Sequence, residues 1–406
     1  MKLYKYKEPN IKVTYMSNNE QVVIPETYIE KEVRAMWVSN VANIDLPTIE
    51  DLDEYKRQVL KIFDTCEAYH INLIYFQIRT NNDAFYQSKI NPTSRYLVGK
   101  EGNPLKEDIL KWVIDEAHHR KIELHGWCNP YRVSMGRGQY KPEEWLATCD
   151  PLNLAVRLPN STILDTEGQI ILNPAKQVVK DHIVDTIKEI IENYEVDGIH
   201  FDDYFYPYKP VSDKVNDLAE YEKRVNHEQT LTEFRKDQVT EVIKKVYQTI
   251  KTHNPKLEFG VSPFGIWKSK SSDSRGSYNG PGVFESCDLQ YADSYKWVKE
   301  GYLDYIVPQI YWGFENKSAS FHDMTTWWVD VVKGTNVKLY IGHAAYRLGR
   351  EGEFENKMEI VNQLKFANQF EEVKGNVFFT YHTFIDDNQV KPGMIEVKKL
   401  LGGKNE

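Results

Sequence analysis

The feature that most constrains this chain is an eightfold alternation of short apolar runs with longer amphipathic segments. The runs are VRAMWVSN (33–40), INLIYFQIR (71–79), KIELHGWCN (121–129), VDGIHFDDY (196–204), LEFGVSPFG (257–265), YIVPQIYW (305–312), KLYIGHAAY (338–346) and NVFFTYHTF (376–384). They are rich in β-branched and aromatic residues and nearly continuous in apolar character. That is the signature of parallel strands buried on both faces, because a strand with one wet face alternates apolar and polar residues. The segments between them carry apolar residues at helical spacing. In 49–70 the stripe is Leu52, Tyr55, Val59, Ile62, Phe63, Cys66 and Tyr69. In 174–194 it is Val179, Ile183, Ile187, Ile190, Ile191 and Tyr194, with Asn173 and Pro174 as an N-cap and first-turn pair. Segments 105–120, 226–253, 321–333 and 355–370 behave alike, with a short helix near 290–300 and a last one near 393–401.

Eight β/α units predict an α/β fold of the (β/α)8 TIM-barrel type. An open doubly wound sheet would carry a Gly-rich phosphate loop after its first strand. Here that strand is followed by SNVANIDLP, without glycine. The chain divides into an N-terminal extension (1–32), the barrel (33–402) and a short tail (403–406). In the extension, IKVTYM and QVVI flank SNNE and read as a small hairpin. Two long loops follow predicted strands three and five. The first, 130–172, contains YRVSMGRG and a second hairpin, VRLPNSTILDTEGQIIL; the second, 266–289, is rich in Ser, Gly and Asp. Loops at strand C-termini are where a barrel builds its site.

Composition removes several function classes. Lys and Arg number 51 against 60 Asp and Glu, a net charge of −9, with no run of five basic residues, so nucleic acid is not an expected partner. No stretch of about 18 apolar residues exists, so no transmembrane segment is expected. The N-terminus, MKLYKYKEPN, has no apolar signal-peptide region. The chain as it stands therefore reads as cytoplasmic, or as a cell-envelope protein if a leader has been removed. Cysteines stand at 66, 128, 149 and 287 without a CxxC pair, so they are expected to be free and mostly buried rather than a zinc knuckle.

The predicted strand C-termini are unusually polar and aromatic. Strand two ends in Gln77, Arg79, Asn81 and Asp83. Strand three carries His125, Trp127 and Asn129, then Tyr131 and Arg132. Strand four carries His200, Asp202 and Asp203, then Tyr204 and Tyr206. Strand six ends in Gln309, Tyr311 and Trp312 with Glu315 beyond, and strands seven and eight offer His343, Tyr346, Arg347 and His382. Period-two alternation puts His125, Trp127 and Asn129 on one side, and His200 with Asp202 on one side. Together these residues point to a polyol-binding pocket. The aromatic share of 13% supports this, since rings at the rim can stack on the C–H faces of sugars. Asp202 and Asp203 are the sharpest pair, because glycoside hydrolysis needs one protonated and one ionised carboxyl. Neighbours on an extended strand point opposite ways, so Asp203 reaches the pocket only if the backbone bends after Asp202. Glu315 and Asp293 are fallback acids, and Asp83 is a loop organiser or sugar ligand. The histidines His125, His200, His343 and His382 with Asp202 leave a metal site open as an alternative, but strand one lacks the HxH of metal-dependent barrel hydrolases.

RTNNDAFYQSK (79–89), SRYLVGKEGNP (94–104), EAHHRKIELHGWCNPYRVS (116–134), VDGIHFDDYFYP (196–207), YADSYKWVKEGYLDYIVPQIYW (291–312) and GHAAYRLG (342–349) resemble the glycosyl-hydrolase-like family 10 proteins, over roughly 32–402. That family includes a bacterial division-site glycosidase acting on peptidoglycan glycan strands. The resemblance implies a (β/α)8 barrel that hydrolyses glycosidic bonds. DGIHFDDY is also similar to the DGxDxDxE of family-18 chitinases, but Tyr204 stands at the position of their acid and His200 at that of their first strand Asp. It is similar too to the GFRxD of α-amylases, where Asp202 takes the position of the nucleophile; their strand-five acid has no counterpart in VSPFG. The resulting expectation is a glycosidase with Asp202 as nucleophile or base and Asp203 as acid, and with Asn129, Arg132, Gln309, Tyr311 and His343 holding sugar. It needs no cofactor and no metal, and its partner is an oligo- or polysaccharide. The rival readings are a sugar-binding barrel without catalysis and a metal-dependent polysaccharide deacetylase.

Overall fold

The computed structural model describes residues 1–136, 140–385 and 389–402. Its parallel strands are β1 (Val33–Val38), β2 (Leu73–Arg79), β3 (Glu123–Cys128), β4 (Gly198–Phe201), β5 (Glu258–Val261), β6 (Tyr305–Ile306), β7 (Lys338–His343) and β8 (Val373–Phe378). Each pairs with its neighbours in sequence, and β8 closes the barrel on β1 with Val33 beside Gly375 and Met36 beside Phe378. A helix follows each strand: α1 (Leu52–Ala68), α2 (Ile109–His119), α3 (Gln177–Asn193), α4 (Leu231–His253), α5 (Ser294–Lys299), α6 (Phe321–Val332), α7 (Glu359–Asn368) and α8 (Lys391–Leu401). This is the (β/α)8 barrel expected from the alternation.

Local chemistry sets the boundaries. Asp51 starts α1 by accepting the Glu54 amide at 2.7 Å, and Thr230 with Glu233 forms a capping box at the start of α4. α3 begins at Gln177, three residues later than Asn173–Pro174 predicts. The reason is that Asn173 Oδ1 accepts the amide of Ala175, two residues on, which closes a turn instead of capping a helix. The β6 ladder is far shorter than its apolar run, and Pro308, which has no N–H to donate, lies just beyond it. The last strand starts earlier than its run, at Val373, because charged Glu371, Glu372 and Lys374 mask its first residues.

Two apolar layers result. Met36, Val38, Ile74, Phe76, Ile199 and Ile341 face the helices, while Ala35, Trp37, Tyr75, Trp127, Tyr305, Tyr340 and Val377 fill the barrel. The interior also holds a polar chain. Trp37 Nε1–H, which can only donate, lies 3.2 Å from His200 Nε2. The His200 proton is therefore on Nδ1, 3.2 Å from the Tyr305 hydroxyl, and that hydroxyl in turn donates to His125 Nδ1 at 2.8 Å. Burial pushes His125 down to about 3 and His200 well below the ordinary histidine range, so both rings are neutral. Gly260 makes room for this chain, since a Cβ there would sit 2.1 Å from the Tyr305 ring.

The extension pairs with itself through antiparallel bridges at Lys2–Val23, Tyr4–Lys12 and Thr14–Gln21, burying Val13, Val22 and Ile24. The second hairpin pairs Thr162–Leu164 with Ile170–Leu172, while Leu154–Arg157 ahead of it forms a helical turn. The end of YRVSMGRG and the tail 403–406 lie outside the described residues. The four cysteines are free, and only Cys149 is partly exposed. Among the described residues no helix is long and apolar enough to cross a membrane.

Replacing Tyr305 by Phe keeps the ring but leaves two buried imidazole nitrogens without their partner. Urea unfolding is expected to show a loss of about 2–3 kcal/mol; an unchanged midpoint would show that the hydroxyl does not hold the interior together.

Candidate active site

The β3 and β4 side chains that point into the barrel climb from its interior to its mouth: His125, Trp127 and Asn129 on one, His200 and Asp202 on the other. Asp202 is only 3% exposed. Its carboxylate accepts from Trp127 Nε1 at 3.0 Å, from Asn129 Nδ2 at 3.2 Å to each oxygen, and from the Tyr204 amide at 3.2 Å. Asn129 is itself oriented, because its Oδ1 takes the amides of Tyr131 and Arg132. Burial pushes the Asp202 carboxyl up to about 7, with the Arg132 cation opposing and Asp203 adding to the rise.

The ladder ends at Phe201 and the backbone then bends. The Tyr204 amide turns back to Asp202, and the Phe205 amide bonds the Asp203 carbonyl at 3.2 Å. This bend brings the Asp203 carboxyl to the Tyr208 hydroxyl and the Gln309 side chain, while Gln290 Nε2 holds the Asp203 carbonyl at 2.8 Å. Burial raises the Asp203 carboxyl, opposed by Tyr208 and Gln309. Arg132 completes the group. Its Nε donates to Thr80 O and Asn81 Oδ1 at 3.1 and 3.0 Å, its guanidinium lies 4.7 Å from the Tyr204 ring, and its buried Nη2 has no partner among the described residues.

Aromatic rings surround these groups. Tyr311 meets Tyr346 edge-on and lies beside Phe379, both at 6.1 Å. Trp312 meets Phe264 at 5.4 Å, and Tyr208 packs against Tyr204 and Phe284 at 5.5 and 5.1 Å. Gln309 Nε2 donates to Ser262 O at 3.0 Å.

The structure thus brings together Trp127, Asn129, Arg132, Asp202, Asp203, Tyr204, Gln309, Tyr311, Trp312 and Tyr346. It sets the other expected residues apart. His125 and His200 belong to the interior chain below Asp202. His343 sits at the outward-facing parity of β7, between Phe321 and Phe378, with its nitrogens on Gln363 and Asn376. Arg79 follows a register shift that pairs it with Cys128, and its guanidinium turns to Asn82 and Asn91. Asp83 organises its own loop by accepting from Thr80 and Asn81. Asp293 caps α5 and takes the Trp267 indole at 2.8 Å. Glu315 holds the Tyr6 amide of the extension, and His382 is exposed, with its amide on Asp45. The four histidines therefore do not converge. Among the described residues no group of three or more His, Cys, Asp and Glu is placed to hold a metal ion.

Residues outside the expected set also shape the mouth. Tyr208 lies in the same aromatic run as Tyr204 and Tyr206, which is a signal the sequence does offer. Asp45 ties the ends of β1 and β8 through the Ser39 amide, Thr380 Oγ1 and the His382 amide, at 2.6, 2.9 and 2.8 Å. Burial pushes its carboxyl up to about 6. Nothing in SNVANIDLP distinguishes it from an ordinary loop aspartate.

A family model described as glycosyl hydrolase-like 10 matches residues 32–360. Glycosyl hydrolase YngK of Bacillus subtilis (strain 168) is 35% identical over 375 residues, spanning 91% of this chain and 70% of that protein. Glycosyl hydrolase DigH of Escherichia coli (strain K12) is 33% identical over 365 residues, spanning 86% and 82%. Among solved structures, the glycoside hydrolase domain of PgaB (BpsB) from Bordetella bronchiseptica superposes with a TM-score of 0.56 at 10% identity, covering 92% of this chain and 98% of that one. A putative α-L-fucosidase from Bacteroides thetaiotaomicron gives 0.52 at 10% identity, covering 95% and 100%. At that identity the solved structures share the fold, whereas the family model and the two relatives run along most of the sequence. The chain belongs to the glycosyl hydrolase-like 10 family.

Proposed function

We propose that this protein is a glycoside hydrolase that cleaves O-glycosidic bonds of a polysaccharide by carboxylate acid/base chemistry, with an amino-sugar glycan such as denuded peptidoglycan strands as substrate. The observation that carries this reading is the buried Asp202–Asp203 pair at the C-terminal end of β4, inside an aromatic mouth. Both carboxyls are raised by burial and close enough to influence each other, so the pair resists carrying two negative charges at once. One neutral and one ionised carboxyl is what glycoside hydrolysis requires.

Partner chemistry supports the assignment of roles. The hydrogen-bond partners of Asp202 are donors and Arg132 is a cation beside it, so the anion that forms as pH nears 7 is held in place to act as nucleophile or base. Asp203 accepts from the Tyr208 hydroxyl, a group that can turn to accept from a protonated carboxyl, so Asp203 is assigned the role of acid. Arg132 Nη2, buried and without a partner among the described residues, is a donor available to a sugar oxygen. The rings of Tyr204, Tyr311, Trp312 and Tyr346 offer stacking faces to pyranose C–H groups. The amino-sugar class rests on the family motifs.

Asp202→Asn and Asp203→Asn are each expected to lower kcat on denuded glycan strands by about 10²–10⁴-fold with the fold intact by circular dichroism. Full activity in Asp202→Asn would overturn the assignment, and saturable glycan binding without product from the wild type would favour a non-catalytic barrel.

The pH dependence has a definite sign. A carboxyl raised by folding binds its proton more tightly in the native state, so the stability linked to Asp202 is present at low pH and is lost as pH rises from ~4 through ~7. Thermal melts of Asp202→Asn are expected to fall less than the wild type between mildly acidic and mildly alkaline buffer, while wild-type activity, which needs Asp202 ionised, rises as pH approaches about 7. Parallel melting curves for the two proteins would contradict the buried, raised state of Asp202.

A further inference from the structure

A second cleft, of about 370 Å³, lies on the flank of the barrel, away from the residues of the mouth. Tyr15 and Ser17 of the extension form one wall, Lys270 and Tyr278 of the long loop after β5 form the other, and Tyr295 of α5 and Trp327 of α6 form the floor. Each wall is fixed by its own contacts. The Met16 amide lies 3.2 and 3.3 Å from the two Asp323 oxygens, His322 Nε2 lies 3.2 Å from Thr14 O, and the Tyr15 ring meets His322 edge-on at 4.9 Å. On the other side Trp327 Nε1 donates to Arg275 O at 2.9 Å, and Arg275 pairs with Asp273 within the loop at 2.7 Å. Gly276 packs so closely there that a Cβ would lie 2.5 Å from the Ser269 backbone.

The floor is a prebuilt aromatic stack. Buried Trp267 lies between Tyr295, at 4.9 Å and 30°, and Trp327, at 6.1 Å and 15°. Rings held in this way lose little side-chain entropy when a ligand stacks on them. The charges around the cleft balance, with Lys270 and Arg275 against Asp323 and Asp330, so its recognition does not depend on the charge of the ligand. Apolar rings edged with balanced polar groups match the C–H faces and hydroxyls of an uncharged pyranose. The loop that forms one wall also reaches the mouth, where Phe264 and Phe284 contact Tyr208.

We propose that this cleft is a second glycan-binding site, taking uncharged pyranose units of a polysaccharide chain whose scissile part occupies the Asp202–Asp203 mouth. The choice of polymer rests on the hydrolase reading; the cleft itself does not. Two replacements test it. Tyr278→Ala removes a ring that is 41% exposed, and Ser17→Trp fills the opening from an exposed position, so both are expected to leave the melting temperature unchanged.

In affinity electrophoresis through gels containing denuded peptidoglycan strands, each replacement made in the Asp202→Asn background is expected to weaken retardation about tenfold, the scale of one lost aromatic contact. Hydrolysis of a short chromogenic N-acetylglucosaminide by the Asp202-containing proteins is expected to stay unchanged. Equal retardation of all variants, or none for any, overturns the second site. Tyr278-dependent retardation without hydrolysis of any substrate by the wild type keeps the cleft and defeats the hydrolase reading. Hydrolysis with retardation indifferent to Tyr278 and Ser17 does the reverse.

Discussion

The hydrogen-bonded chain from Trp37 through His200 and Tyr305 to His125 is the interaction on which the site depends. A barrel of eight strands has an interior that side chains must fill. Purely aliphatic filling would give the mouth nothing to stand on. Here the filling is aromatic and polar, with Tyr75 stacked on His200 at 4.1 Å and Tyr305 on Tyr340 at 5.1 Å. The donor-only indole fixes the tautomer of His200, and that fixes the direction of every bond after it. Asp202 stands two residues beyond His200 on β4, and Trp127 two beyond His125 on β3. The interior therefore sets the height and facing of the carboxylate and of the indole that holds it.

At Asp202 two effects compete. Burial favours the neutral acid, while three donating groups and the Arg132 cation favour the anion. Burial is the larger, so the carboxyl titrates near neutrality instead of near the ordinary aspartate value of ~3.9. Without its donors the buried anion would be still less favourable; without burial it would be an ordinary ionised aspartate. Asp203 adds repulsion between the two negative forms. The bend after Phe201 is therefore electrostatic in its consequence as well as geometric: it makes the protonation state of one carboxyl depend on the other.

Parity explains how much of this the sequence discloses. Period-two alternation places His125, Trp127, Asn129, His200 and Asp202 on the interior side of β3 and β4, because the residues involved lie on the strands or at their immediate ends. It fails wherever parity is broken or reversed. Arg79 shares the parity of Gln77, yet a register shift between them turns it to the outside. His343 looks like a rim residue by position, but Lys338, Tyr340 and Gly342 hold the inward parity of β7, so it faces helices. Glu315 and Asp293 lie past the strands, where no period applies, and local needs claim them: one holds the Tyr6 amide and the other caps α5. Asp45 and Tyr208 reach their places from loops whose path only the tertiary fold defines.

The loop carrying Tyr311 and Trp312 shows how a segment without regular structure becomes a rigid wall. Arg347 Nη1 donates to Tyr311 O at 2.8 Å, Gln363 Nε2 to Trp312 O at 3.3 Å, and the Glu315 amide to Glu353 at 2.6 Å, while Glu359 takes the Phe314 amide. Gly313 allows this closeness, since a Cβ would fall 2.0 Å from the Glu353 carboxyl. Burial raises Glu353 to about 7 and Glu359 well above the ordinary glutamate range, so the anchors are two carboxyls that resist carrying charge together. Such an arrangement has little intrinsic stability to offer, and a flexible loop would be the simpler solution for connecting two elements. Its effect is to fix the backbone from Tyr311 to Glu315 from the side opposite the mouth. On the proposed reading, a sugar stacking on Tyr311 and Trp312 meets rings already in place, and the ordering cost has been met in folding rather than in binding.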